Sequence, residues 1–159
     1  MNQTHIHLLI THLPIFGSIL GGLVLAHGIW TKSNQTKIAA YLVLILSSIG
    51  AVIAYLTGEG AEETVEKIQG VSEKIIEQHS DFAVYALVAL SILGVAALLG
   101  LFFAFINSTL SRSVAIITLV ISLFSFGLIA YTGYLGGQIR HTEISNATSI
   151  EQQNEDKDD

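Results

Sequence analysis

FAVYALVALSILGVAALLGLFFAFI, residues Phe82 to Ile106, runs for 25 residues without an Asp, Glu, Lys or Arg. A helix of that length covers the hydrocarbon core of a bilayer, which needs about 20 apolar residues at 1.5 Å each. Three further uncharged runs accompany it: Leu8 to Trp30 (23 residues), Ile38 to Thr57 (20) and Val114 to Ile139 (26). Together the four take 94 of the 159 residues. Backbone groups find no water in lipid and must be satisfied within the segment, and runs this long and continuous suit helices rather than barrel strands. The sequence therefore predicts an all-α fold, an integral membrane up-down four-helix bundle within residues 1–141. Its helices are expected over 8–30, 38–57, 82–106 and 114–139.

Composition agrees and removes several functions. Half of the chain (51%) is hydrophobic, 13% is charged and the mean hydropathy is +0.60, which excludes an ordinary water-soluble domain. Zero cysteines eliminate disulfides, thiolate metal sites, thioether-attached haem and cysteine nucleophiles. Seven Lys plus Arg against 13 acids disfavour nucleic acid as a partner. Gly58-Glu-Gly60 is too short for a phosphate loop and is followed by acids. Ser47, Ser48, Ser91, Ser122 and Ser125 have no His at matching depth for a hydrolytic triad, and fit better as donors to i−4 carbonyls. The first run lacks a basic leader region, so it reads as an uncleaved anchor.

The short connections 31–37 and 107–113 make helices one and two, and three and four, antiparallel neighbours. They hold Lys32, Lys37 and Arg112 and no acid, the pattern of cytoplasmic loops, which predicts both termini outside. Between helices two and three, residues 59–78 carry six Glu and two Lys. Glu62, Glu66, Glu73 and Glu77 recur at helical spacing beside a stripe of Val65, Ile68, Val71 and Ile75, so a short amphipathic extramembrane helix, lying on the bundle as a lid, is expected there. Residues 142–159 are polar and acidic without apolar periodicity and read as a disordered tail. Gly17 with Gly21, and Gly133 with Gly137, match the small-xxx-small pattern of close helix packing.

Six histidines stand out in so apolar a chain. His5, His7 and His12 open helix one, His79 precedes helix three and His141 follows helix four, so the topology gathers five at one face. His27 lies 15 residues, roughly 22 Å, from His12 toward the other face, which argues against a second haem there. Gly133, Gly137 and His141 are spaced by four, and His79, Ala83, Ala86, Leu90 and Gly94 follow helical spacing with many small residues. Leu13-Pro14 constrains His12, either as the first turn capped by Thr11 or as a kink in a longer helix. Two of His12, His79 and His141 are thus candidate axial ligands of one b-type haem. The plainer reading has His12 bonded to a neighbouring helix and the other two wetted at the interface. His5 and His7 are expected to be exposed. A non-haem site of Zn, Cu or Fe could draw on His12, His79 and His141 with Glu59, at the membrane edge, although HExxH and paired Glu-x-x-His motifs are missing. Tyr55, Tyr85, Tyr131 and Tyr134 toward one end and Trp30 and Tyr41 toward the other suit an interfacial belt.

THLPIFG (residues 11–17), QHSDFA (78–83) and GYLGGQIRH (133–141) resemble three segments of a family of bacterial four-helix membrane proteins of unknown function, and the resemblance covers most of residues 5–141. Members show a His-aromatic-Pro near the start, a His opening the third helix, and Gly-Gly followed shortly by His. Leu13 replaces the aromatic here, and the segment from Gly58 to Gln78 is longer. Resemblance to a bacterial family would make the outer side the periplasm of an inner membrane. Such domains also occur fused to c-type cytochrome modules, which implies electron transfer, with quinone, a c-type cytochrome or a respiratory complex as partners. A non-catalytic accessory subunit of a membrane complex is the remaining expectation.

Overall fold

The structure, a computed structural model, describes residues 3–65 and 73–140. Five helices make it up, with no strand among the described residues: α1 (Gln3–Ile10), α2 (His12–Trp30), α3 (Asn34–Val65), α4 (Glu73–Phe105) and α5 (Ser111–Arg140). Four helical stretches are long and apolar enough to cross a membrane: His5–Trp30, Asn34–Gly58, Glu73–Phe105 and Ser111–Ile139. Around the bundle α2 packs on α3, α3 on α4, α4 on α5 and α5 back on α2, while α1 lies against α3. The four-helix architecture expected from the uncharged runs is therefore present.

Pro14 decides how the chain enters the bundle. Thr11 keeps helical dihedrals (φ −60°, ψ −24°), makes no side-chain cap and donates its N–H to the His7 carbonyl at 3.0 Å. Helix α1 thus runs into α2 across an irregular turn, the kinked alternative, because proline has no N–H for the Ile10 carbonyl. Helices α3 and α4 extend past the expected limits: residues 59–65 prolong α3 and 73–78 open α4. The two glycines at 58 and 60 weaken a helix but do not end it when neighbours keep helix propensity. The middle of the anticipated lid, residues 66–72, and the acidic tail lie outside the described residues.

Both short turns use the same closure. Lys32 (φ 56°) and Asn107 (φ 50°) take left-handed dihedrals, and the next residues reach back, Ser33 N to Gly28 O at 3.0 Å and Ser108 N to Phe103 O at 3.1 Å. This is the Schellman arrangement, which satisfies terminal carbonyls and reverses the chain within a few residues.

The interior mixes a few large side chains, Leu25, Tyr41, Leu44, Leu90 and Leu93, with many small and hydroxylated ones, and the outside is large and apolar. Ser18, Ser47, Ser48, Thr118, Ser122, Ser125 and Thr132 are buried, whereas Phe16, Leu20, Leu23, Val88, Leu98, Phe102, Val120 and Phe124 are exposed. Water would oppose that distribution; lipid permits it, since association between helices in lipid rests on close packing and hydrogen bonds. A Cβ on Gly17 would sit 2.8 Å from Ser47 Cβ, and one on Gly100 would enter the Tyr41 ring. The hydroxyls tie helix to helix: Ser47 to Pro14 O (3.1 Å), Ser48 to Leu90 O (2.7 Å) and Ser122 to Ser18 O (2.7 Å).

The buried positions recur by seven. His7, Pro14, Gly21 and Gly28 form one stripe, Lys37, Leu44, Ala51 and Gly58 a second, His79, Ala86, Leu93 and Gly100 a third, and Ser111, Thr118, Ser125 and Thr132 a fourth. A seven-residue repeat nearly matches two helical turns, so each stripe stays turned toward the axis of a left-handed bundle.

Candidate functional site

Two of those stripes end in histidine at the same end of the bundle. His7, in α1, is half-buried against α3, its Nδ1 2.8 Å from the Ala54 carbonyl. His79, in the second turn of α4, is half-buried against α5, its Nδ1 2.9 Å from the Thr132 carbonyl. A carbonyl oxygen only accepts, so in both rings Nδ1 carries the proton and donates it. Nε2 is then the unprotonated nitrogen of each neutral imidazole, and among the described residues no hydrogen bond occupies it. His7 thus packs on α3 and His79 on α5, both toward the same end of the bundle.

A glycine faces each ring, and the one beside His79 makes room for it. A Cβ on Gly136 would come 3.1 Å from His79 Cε1, closer than the ring could accept without moving. Gly58 faces His7, where a Cβ would find ordinary contact at 3.5 Å. The glycine pair expected near the end of helix four therefore acts through Gly136, while Gly137 looks onto open space. On the outer surface beside His79, Phe82 meets Tyr131 and Tyr85 edge-on at centroid distances of 4.6 and 5.8 Å, and Tyr134 accepts from Gln138 Nε2 at 2.9 Å.

The structure changes the membership of the site. His12 is exposed, bonded through Nδ1 back across the turn to the Leu8 carbonyl at the end of α1 and stacked on Phe16 at 6.2 Å. It opens α2, beyond the irregular turn that separates it from His7 in α1. His7, expected to be exposed, takes the inward place. The heptad continuing through Pro14 and Gly21 was the available signal. His79 occupies an inward position as expected, and His27 is exposed beside Trp30. His141 and the Glu59 side chain lie outside the described residues. Among those described, no three His, Asp or Glu residues gather as a metal site.

The chain matches no family model, no curated protein and no solved structure. Its function must be argued from the paired imidazoles.

Proposed function

We propose that this is a multi-pass protein of the bacterial inner membrane that holds one b-type haem at the His7–His79 end and relays electrons between membrane quinone and an outer-side partner such as a c-type cytochrome. The observation that carries it is the shared state of two imidazoles on different helices, each with Nδ1–H fixed on a carbonyl and Nε2 presenting a lone pair. Ligating histidines are commonly held in this way, because the second hydrogen bond sets both tautomer and ring orientation. Neutral imidazole is a good haem-iron ligand, and a haem needs only two such side chains, whereas non-haem sites usually draw three or more protein ligands. That difference favours haem over Zn, Cu or Fe bound directly. Once bound, haem would supply reversible one-electron transfer.

The residues divide the work. Ala54 and Thr132 orient the two rings, and Gly136 leaves His79 its position. His141, next after Arg140, is the reserve ligand from the resemblance to the cytochrome-associated family, and His12 is left out. The absence of acids around Lys32, Lys37 and Arg112 supports a cytoplasmic position for that end, with the two histidines outside.

The test is an oxidised and dithionite-reduced absorption spectrum of protein purified in mild detergent from haem-replete cells. Expected are b-type bands that vanish in His7→Ala and His79→Ala and persist in His12→Ala. A featureless spectrum overturns the haem reading; metal analysis then separates a directly bound Zn, Cu or Fe from an accessory subunit without cofactor. Bands lost with His12→Ala and kept with His7→Ala would return the site to its sequence-based membership.

A further inference from the structure

The opposite end of the bundle carries a second polar site, built around one lysine. Lys37 is 9% exposed, and its Nζ donates to Ser111 Oγ, itself buried, at 2.7 Å. A buried ammonium normally has a carboxylate beside it. Among the described residues none lies near this one: residues 3–58 and 82–140 contain no Asp or Glu. Glu59 is 22 residues further along α3, about 33 Å away, and Asp81 is at the far end of α4. The carbonyls that end α2 and α4 are engaged by their own turns, His27, Gly28 and Ile29 with residues 31–33, and Phe102, Phe103 and Ala104 with residues 106–108. Ala104 O also accepts from Asn34 Nδ2.

Other features at this end share the same sign. Ser111 opens α5, a 30-residue helix whose amino terminus carries partial positive charge. Lys32 stands exposed on the α2–α3 turn and Arg112 exposed at the start of α5. One turn deeper on α3, the fully buried Tyr41 hydroxyl has no hydrogen-bond partner among the described residues, an uncommon condition for a buried donor. Around the rim Trp30 (82% exposed), Ile106 and Leu110 turn large apolar surfaces outward, as groups in contact with acyl chains would.

We infer that Lys37 and Ser111 form a binding site for the phosphate of an anionic phospholipid. The headgroup phosphate provides the counter-charge that no described residue brings to Lys37, Lys37 supplies the charge-assisted hydrogen bond, and the apolar rim seats the chains. A lipid is favoured over free phosphate because the ends of four apolar helices hold Lys37 at headgroup depth.

Native mass spectrometry of the full chain in a charge-neutral detergent tests this, with phosphatidylglycerol, phosphatidylcholine and inorganic phosphate as probes. Expected is a phosphatidylglycerol preference over phosphatidylcholine of about ten-fold, given that one basic residue near a membrane contributes about 1 kcal/mol and a buried one more. Lys37→Gln should abolish the preference, while Lys37→Arg and the double variant Lys32→Gln/Arg112→Gln should retain most of it. Equal binding of the two lipids overturns the site, as does loss of the preference in the double variant, which would assign it to surface charge. Inorganic phosphate competing at equal concentration would overturn the lipid assignment. Should Lys37→Gln fail to fold, the double variant and Lys37→Arg still decide between the buried and the exposed cations.

Discussion

At the scale of single residues, His7 and His12 sit five positions apart on one stretch of helix and meet opposite surroundings. His7 reaches across to the Ala54 carbonyl, and His12 folds back on Leu8. Removing His12 should change stability by no more than about 0.5 kcal/mol, the usual limit for an exposed position without special contacts. Gly136→Ala should cost about 1–3 kcal/mol, since its methyl forces the His79 ring aside or strains the α4–α5 contact. Detergent-unfolding midpoints of the two variants measure both; equal midpoints would mean that His79 yields without cost. Histidine was the residue type to follow, and its depth could be read from position along each run. Its direction around the helix could also be read, from the heptad shared by His7, Pro14 and Gly21, but only by preferring that repeat to the motif around Pro14.

Among the elements, the irregular turn between α1 and α2 has the clearest consequence. Pro14→Ala gives the Ile10 carbonyl a donor and should straighten the segment, carrying α1 away from α3 and His7 from Ala54. Acylation of imidazole by diethyl pyrocarbonate, followed by mass spectrometry, reads this directly. In the parent protein His12 should react faster than His7; in Pro14→Ala the two rates should converge. Unchanged protection of His7 would show that the α1–α3 contact, not the proline, sets the angle. On α3, Ser48→Ala removes the hydrogen bond to Leu90 O and should cost about 0.6–1.7 kcal/mol, the range for such bonds between helices in lipid. Gly100→Leu, which drives a side chain into the buried Tyr41 ring, should cost more in the same unfolding assay. Element boundaries were less legible than element identity. Glutamates 59, 62 and 63 read as the start of a separate lid, yet nothing in Thr57 to Val65 forces a helix to stop, so α3 continues.

For the whole molecule, the absence of cysteine makes topology directly measurable. Single cysteines at Ser33 and Ser108, on the two turns, should resist a membrane-impermeant maleimide in intact spheroplasts and react after lysis, whereas one at Asn2 should react in both. The reverse pattern overturns the outward termini, and accessibility of Asn2 and Ser33 from the same side overturns four crossings. The molecule is polarised in its chemistry, with two inward imidazoles at one end and a buried lysine at the other, joined by four stripes of mostly buried residues.

The four uncharged runs, by themselves, determined helices and their number, since lipid leaves a spanning backbone no other way to satisfy its hydrogen bonds. The short basic connections determined which helices are neighbours. Which side chains meet was decided only by packing: the azimuth of each helix and the bend at Pro14 turned His7 rather than His12 inward, and set Lys37 against Ser111. Depth follows from counting residues along a helix, whereas facing depends on how four helices rotate to bury their smallest surfaces together.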